Sequence, residues 1–389
     1  MVAPVIVGID LHNIRDGGGV NYIGNLLRAA DPERDGLERV HLFASPQNLE
    51  NFPDRPFITR HGFEALAASL PKRLACAFGT LPRRARELGC DVLYAPGGIA
   101  FGQFRPYATI SRNMMPFRRD LWSLYRPLSP EWLRLRVLSR LNTRTFARAD
   151  GTIFLTDSAR RAITPHLRGT PRRVAVINHG VDAGRFTPGE RRPMPARDEE
   201  IRLVYPSRFE PYKHQIEVLE AVAGLRTEFP RLSVTFAGPH NPAYLAAFEE
   251  ARRRLDPEGA FTRYLGNLPS SELPPLYATS DLLLFASSCE NLPNILIEAM
   301  ACAIPIVSAK AEPMPEVAKD AALYFDPGDS GSIAAAIREA ILEPAASAER
   351  ARRGLEYSRQ YSWERCAEQT FRFLRETAGA SAPGKDQGK

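Results

Sequence analysis

An alternation of strand-like and helix-like runs, broken once and then resumed, most limits what this chain can fold into. Residues 5–10, 40–43, 92–95, 108–110, 152–155 and 174–177 are short, apolar and partly β-branched. Segments with helical spacing, such as 20–30 and 158–167, lie between several of them. Strands alternating with helices predict a parallel sheet covered on both faces. After Asp182 the character changes to Pro, Gly and charge, as in Phe186-Thr187-Pro188-Gly189-Glu190-Arg191-Arg192-Pro193. Few such residues are easily buried, so the stretch reads as an interdomain linker.

The alternation then restarts, with strand-like runs at 201–205, 234–237, 261–265, 282–285, 304–307 and 323–325. Helical stretches such as 215–229 and 294–302 separate them, and from about Ala345 the pattern is helical. A chain of 389 residues is too long for one hydrophobic core. The expected organisation is a first domain over 1–182, a linker over 183–200 and a second domain over 201–360. The remainder, 361–389, is expected to carry a helix that returns to the first domain, then a disordered polar tail from Ala380. Open α/β sheets bind ligands beyond the carboxyl ends of their strands. Two such domains facing each other would bring two substrates into a closing, water-poor cleft.

Composition narrows the setting. With 44% hydrophobic and 25% charged residues, the chain resembles an ordinary folded cytosolic protein. The stretch 295–307 is the nearest approach to a membrane span, and Glu298 interrupts it. Met1-Val2-Ala3-Pro4 runs straight into the first strand-like segment, which predicts no signal peptide and a cytoplasmic location. The five cysteines (Cys76, Cys90, Cys289, Cys302, Cys366) form no C-x-x-C pair and read as buried free thiols. A net charge of +6 suits anionic small molecules, anionic lipid or nucleic acid equally, so its location matters more than its size. Arg118, Arg119, Arg126, Arg134, Arg136, Arg140, Arg144 and Arg148 predict one basic face.

The most informative segment is Ser287-Ser288-Cys289-Glu290-Asn291-Leu292-Pro293-Asn294-Ile295-Leu296-Ile297-Glu298-Ala299-Met300-Ala301. It follows a strand and opens a helix, with Pro293 expected in the first turn and Asn291 as the cap. Free N–H groups at a helix start suit a phosphate, and carboxylates at Glu290 and Glu298 suit sugar hydroxyls. The plainer alternative is an acidic residue at a helix start and a solvated helix glutamate. A second segment, Tyr205-Pro206-Ser207-Arg208-Phe209-Glu210-Pro211-Tyr212-Lys213-His214, again joins a strand to a helix. Its guanidinium and ammonium suit a diphosphate, or else form a surface pair with Glu210.

In this order and spacing the two segments resemble the donor site of the retaining family 4 glycosyltransferases (glycosyl transferases group 1). The resemblance rests on Arg208 and Lys213 after the first strand of the second domain, then Glu290 to Glu298 within Glu298-Ala299-Met300-Ala301. Further similar landmarks span most of the chain: Gly17-Gly18-Gly19-Val20 with Tyr22, His179-Gly180-Val181-Asp182, Phe236-Ala237-Gly238-Pro239, Leu265-Gly266-Asn267 and Ser362-Trp363-Glu364. The resemblance implies an α/β chain of GT-B architecture, two Rossmann-like doubly wound domains facing across a cleft. It implies that Arg208 and Lys213 hold the diphosphate of a nucleotide-sugar donor, which is a substrate and not a cofactor. Glu290 would contact the transferred sugar, Glu298 would bind ribose, and Asn291 and Leu292 would line the same donor site. Gly18 and Gly19 would let the backbone approach the donor phosphate or the acceptor.

Two departures stand out. Many members of that family carry His-Asp, then two residues and Pro, at the end of a first-domain strand, where this chain reads Ser111-Arg112-Asn113-Met114-Met115-Pro116. Arg112 replaces the histidine, and Arg112 and Asn113 become candidate acceptor-side residues. Ala303 stands where a glycine usually ends the Glu-Ala-Met-Ala helix. No Asp-x-Asp motif occurs, and Asp326 and Asp329 are one residue too far apart, so no metal site is expected. The seven histidines show no ligand spacing.

The acceptor is expected to be a glycan or a lipid-linked saccharide. Segments 71–88 and 117–148 mix bulky apolar and basic residues, which suits peripheral binding to an anionic inner membrane face. An ordinary amphipathic helix packed on the sheet would show the same mixture. A nucleotide-sugar epimerase and a non-catalytic partner of the same fold are the rival functions. A nucleic-acid partner is not expected, since no recognised module accompanies the basic residues.

Overall fold

A computed structural model describes residues 4–15, 17–100, 103–167, 169 and 171–379. They divide into two compact units. The first runs to Gly180 and then takes the helix Trp363–Gly379; the second is Val181–Ser362. The proposed tail from Ala380 lies outside the described residues.

The first unit is built on seven parallel strands: β1 (Val5–Asp10), β2 (Leu37–Ala44), β3 (Ile58–Gly62), β4 (Val92–Ala95), β5 (Tyr107–Ser111), β6 (Gly151–Phe154) and β7 (Arg173–Val176). Their order is β3-β2-β1-β4-β5-β6-β7, so the winding reverses between β1 and β4. β4, β5 and β6 are buried along their whole length, as strands covered on both faces must be. The sequence reading did not anticipate β3. Its Ile-Thr-Arg-His-Gly is polar, with only Ile58 buried, because it pairs on one side alone.

The helix Trp363–Gly379 turns Cys366, Ala367, Phe371 and Leu374 into the first unit, all nearly sealed from solvent. A Cβ at Gly151 would lie 2.7 Å from Phe373 Cε1, so only glycine lets this helix approach β6. Trp363 starts the helix in an aromatic stack, 5.8 Å from His179, whose ring lies 4.6 Å from Tyr22. Two of the family-like landmarks therefore fasten this helix.

The second unit carries six parallel strands: β8 (Ile201–Pro206), β9 (Leu232–Ala237), β10 (Thr262–Tyr264), β11 (Leu282–Phe285), β12 (Ile306–Ala309) and β13 (Leu323–Phe325). Their order, β10-β9-β8-β11-β12-β13, repeats the first unit's winding and reverses between β8 and β11. β12 starts later than expected because Ile304 is spent on a turn, its N–H donating to Ala299 O at 3.2 Å. The stretch expected to be a linker packs on this unit instead. Phe186 is buried, and Arg191 donates to Cys302 O, Ser280 O and Tyr277 O at 2.9–3.0 Å.

Candidate functional site

In the second unit the loops after β8 (207–214) and β11 (286–293) flank the reversal point, where open α/β sheets bind ligands. The loops are tied to each other. Ser288 N–H donates to Tyr212 O at 2.9 Å, and His214 Nε2 and Ser288 Oγ share a hydrogen bond of 3.1 Å. The loop after β9 closes on them through Gly238 at φ 140°, where a Cβ would fall 2.3 Å from Ser207 O. Only glycine fits there.

These ties set the cations. Tyr205 Oη donates to Lys213 O at 2.7 Å, holding the turn Pro211–Lys213 against the end of β8. Lys213 Nζ pairs with Glu290, and the side chains are only 8% and 17% exposed. The rings of Tyr212 and Phe285 lie 5.4 and 5.3 Å from the ammonium. Arg208 points outward at 54% exposure, with Nε 3.2 Å from Glu210 Oε1. A shielded ammonium and an exposed guanidinium thus share one strand end. His214 follows at φ 53°, a left-handed conformation that turns the chain into the helix Gln215–Leu225. Gln215 Nε2 returns to Arg208 O at 2.9 Å.

The second segment opens the helix Asn294–Ala301. Pro293 occupies the capping position outside the helix, and no side chain caps it, which corrects the expected Asn291 cap and first-turn proline. A proline just before the first helical residue satisfies the local pattern equally well, because its ring fixes φ in either place. Asn291 and Leu292 are buried beside Glu290, 6% and 7% exposed. Glu298 sits one to two turns into the helix, half-buried, and accepts a hydrogen bond from Tyr277 Oη at 3.1 Å. Burial pushes its carboxyl up to about 7, against the lowering pull of Tyr277 and Arg185.

In the first unit the glycine run opens a helix. Gly17, Gly18 and Gly19 form the first turn of the helix Gly17–Ala29. Arg112 follows β5, and its guanidinium reaches this turn: a Cβ at Gly19 would lie 3.0 Å from an Arg112 terminal nitrogen. The same guanidinium lies 5.5 Å from the Tyr22 ring, and Tyr22 Oη and Tyr94 Oη share a 2.8 Å hydrogen bond. Asn113 is spent locally, its Oδ1 accepting from Met115 N–H at 3.1 Å.

Tyr277, Arg185, His214 and Gln215 were not assigned roles from the sequence. Tyr277 precedes its partner Glu298 by 21 residues, with no spacing signal to link them. Asp326 and Asp329 serve as local caps, accepting from Gly328 N–H at 3.0 Å and Gly331 N–H at 2.8 Å. Among the described residues no cluster of His, Cys, Asp and Glu could hold a metal, and no helix is long and apolar enough to cross a membrane. Two cavities of about 490 and 500 Å³ open at the amino ends of the second unit's strands, near Arg202 and Ser280.

Comparison with known proteins finds relatives for both units. The family model for Glycosyltransferase Family 4 matches residues 16–185, and that for Glycosyl transferases group 1 matches 187–360. The chain is 32% identical over 172 residues to O-antigen chain mannosyltransferase B of Escherichia coli, covering 43% of this chain and 44% of that protein. It is 28% identical over 235 residues to a D-inositol 3-phosphate glycosyltransferase of Geodermatophilus obscurus, covering 56% and 51%. The alignments thus span about half the length of these curated relatives. Among solved structures it resembles sucrose-phosphate synthase from Thermosynechococcus elongatus, with TM-score 0.72 and 18% identity over 97% of this chain and 100% of that one. It also resembles Anabaena HepE in complex with UDP and glucose, with TM-score 0.69 and 21% identity over 97% and 100%. Two Rossmann-like units of repeated winding, each matched by its own model, have the GT-B fold, and the chain belongs to the family 4, group 1 glycosyltransferases.

Proposed function

We propose that this chain moves a sugar, with retained anomeric configuration, from a nucleotide-diphosphate donor to a glycan or lipid-linked saccharide. Cell-surface polysaccharide or lipopolysaccharide synthesis is the setting that fits. The observation that carries the reading is the Lys213–Glu290 pair beside Arg208, at the point where the second sheet reverses. The relatives named as a mannosyltransferase and an inositol-phosphate glycosyltransferase support the donor class, as does the UDP-bound Anabaena structure.

In this reading the donor diphosphate lies over Arg208, Lys213 and the uncapped start of the helix Asn294–Ala301. As the bond from the anomeric carbon to the phosphate oxygen breaks, these groups neutralise the charge growing on the leaving group. The acceptor hydroxyl forms the new bond on the same face, and its proton passes to the departing phosphate oxygen. Glu290 holds Lys213 and faces the positive charge developing on the sugar. Glu298, once ionised, accepts hydrogen bonds from the ribose hydroxyls. Arg208 and Lys213 supply the charge a divalent ion would otherwise bring, so turnover is expected to persist in EDTA. Its loss in chelator and return with Mg²⁺ would overturn that point.

A membrane-facing surface on the first unit fits a lipid-linked acceptor. Leu70, Leu74 and Phe78 are 55%, 40% and 53% exposed, and Leu133, Val137 and Leu141 are 47%, 54% and 37% exposed. In each set the four-residue spacing makes a stripe along helical backbone, flanked by exposed arginines such as Arg83 and Arg84, or Arg136 and Arg140. Sedimentation with anionic liposomes, weakening as salt rises, is the expected result; protein left in the supernatant at low salt would sink it. The donor reading is tested by a thermal-shift panel of UDP-, GDP- and ADP-sugars followed by a transfer assay. One base should raise the melting temperature, and Arg208→Ala should abolish the rise.

A further inference from the structure

Arg112 is a cation without a counter-ion among the described residues. Its Nε is buried and makes no hydrogen bond, while the residue keeps a partial opening to solvent. Its polar neighbours are Tyr22 and Tyr94, whose hydroxyls burial holds in the neutral form. Burial also works against the guanidinium charge, yet an arginine cannot give up its proton at ordinary pH. A buried charge left unmatched is costly.

A second feature meets it. The helix Gly17–Ala29 has thirteen residues and no acid in its first turn, so its first N–H groups add partial positive charge. Gly18 and Gly19 bring that turn against the guanidinium, with a Cβ at Gly19 falling 3.0 and 3.2 Å from its two terminal nitrogens. Any side chain at Gly19 would displace Arg112. Two positive devices are thus held together with nothing negative between them among the described residues.

We infer that Arg112 and this helix turn form a site for an oxyanion, a carboxylate or a phosphate, carried by a substrate and separate from the donor diphosphate. The inference rests on the sugar-transfer reading and narrows it to acidic substrates. A planar guanidinium binds either group in a bidentate manner, which an imidazole at this position would not. The anion belongs either to an acidic transferred sugar or to a phosphorylated acceptor.

The test titrates the full chain with inorganic phosphate and with glucuronate, using methyl glucoside as the neutral control. Wild type and the exposed-surface control Arg352→Ala should bind the anions alike. Arg112→Met should bind them about ten- to hundredfold more weakly, and Arg112→Lys should keep part of the affinity. Unchanged glucuronate binding in Arg112→Met, or an equal loss in Arg352→Ala, would overturn the site. Arg112→Met should also melt no lower than wild type without anion, since it removes an unmatched charge. If it melted lower, the guanidinium would have an internal partner and the inference would fail. Preference for UDP-glucuronate over UDP-glucose would place the anion on the donor sugar. Preference for glucose 1-phosphate over glucose as acceptor would place it on the acceptor, and preference for neither would overturn the assignment. Binding of UDP, GDP and ADP reads the donor assignment separately: nucleotide binding without anion binding defeats this inference alone.

Discussion

The two units wind their strands in the same order and treat positive charge at the strand ends differently. In the second unit Lys213 is met by Glu290 from the neighbouring loop, and Arg208 by Glu210 two residues on. In the first unit Arg112 has no acid among the described residues. A matched cation is cheap to keep in a half-buried place, but an incoming anion must share it with the resident carboxylate. An unmatched one offers its whole attraction to a ligand and costs the empty protein stability. Matched charge suits a leaving group whose charge grows during reaction; unmatched charge suits ground-state recognition.

The largest expected effect breaks the matched side. Lys213→Met should lower kcat/KM by about 10²–10³ and also lower the melting temperature, because it strands Glu290. Adding Glu290→Gln should restore much of the melting temperature and none of the turnover. If the double variant melted no higher than Lys213→Met, the pair would not be the source of stability.

A smaller effect separates the two glutamates. Glu290→Gln should chiefly lower kcat, by about tenfold or more, because positive charge develops on the sugar only in the transition state. Glu298→Gln should chiefly raise the donor KM, since ribose binding changes little during reaction. Steady-state kinetics showing equal changes in KM alone for both would merge the roles.

The proton on Glu298 gives a third, pH-dependent effect. Its carboxyl is raised to about 7 in the folded chain from an ordinary 4.5. The stability this group contributes is therefore fully present below the unfolded value and lost as pH rises through about 7. Glu298→Gln should flatten that part of the stability profile. Donor binding to the carboxylate should release a proton and tighten from about pH 6 to about pH 8. Calorimetry in two buffers of different ionisation enthalpy measures the release, and equal heats would refute it.

The smallest effect lies in the scaffold. Ala303 ends the Glu298-bearing helix at φ 50°, where a Cβ is strained and glycine is not. Ala303→Gly should stabilise by about 1 kcal/mol or less, since the relief is partly offset by glycine's greater unfolded freedom. A drop in melting temperature would mean the Ala303 methyl contributes more through packing than it costs in strain.

Much of this was legible in the sequence. Near-continuous apolar runs such as Leu282-Leu283-Leu284-Phe285 announce strands buried on both faces. The Lys213–Glu290 pair joins residues 77 apart, and only the ordered motifs linked them beforehand. Arginine-rich stretches misled most. Arg191 reads as surface charge, yet its guanidinium sinks into three backbone carbonyls and pins a supposed linker. Arg112 was legible as a replaced histidine, and its lack of a counter-ion among the described residues needed coordinates.

The helix Trp363–Gly379 makes the first unit discontinuous in the chain, with all of the second unit encoded between its parts. On a ribosome the sheet from β1 to β7 emerges first, without the Phe371 and Leu374 side chains that seal it. The second unit is complete before they arrive, so the unit made first is the one that closes last. A chain stopped after Ser362 should hold a finished second unit and a first unit with one apolar wall open. Limited proteolysis of that truncation should leave residues 181–362 resistant and cut the earlier half.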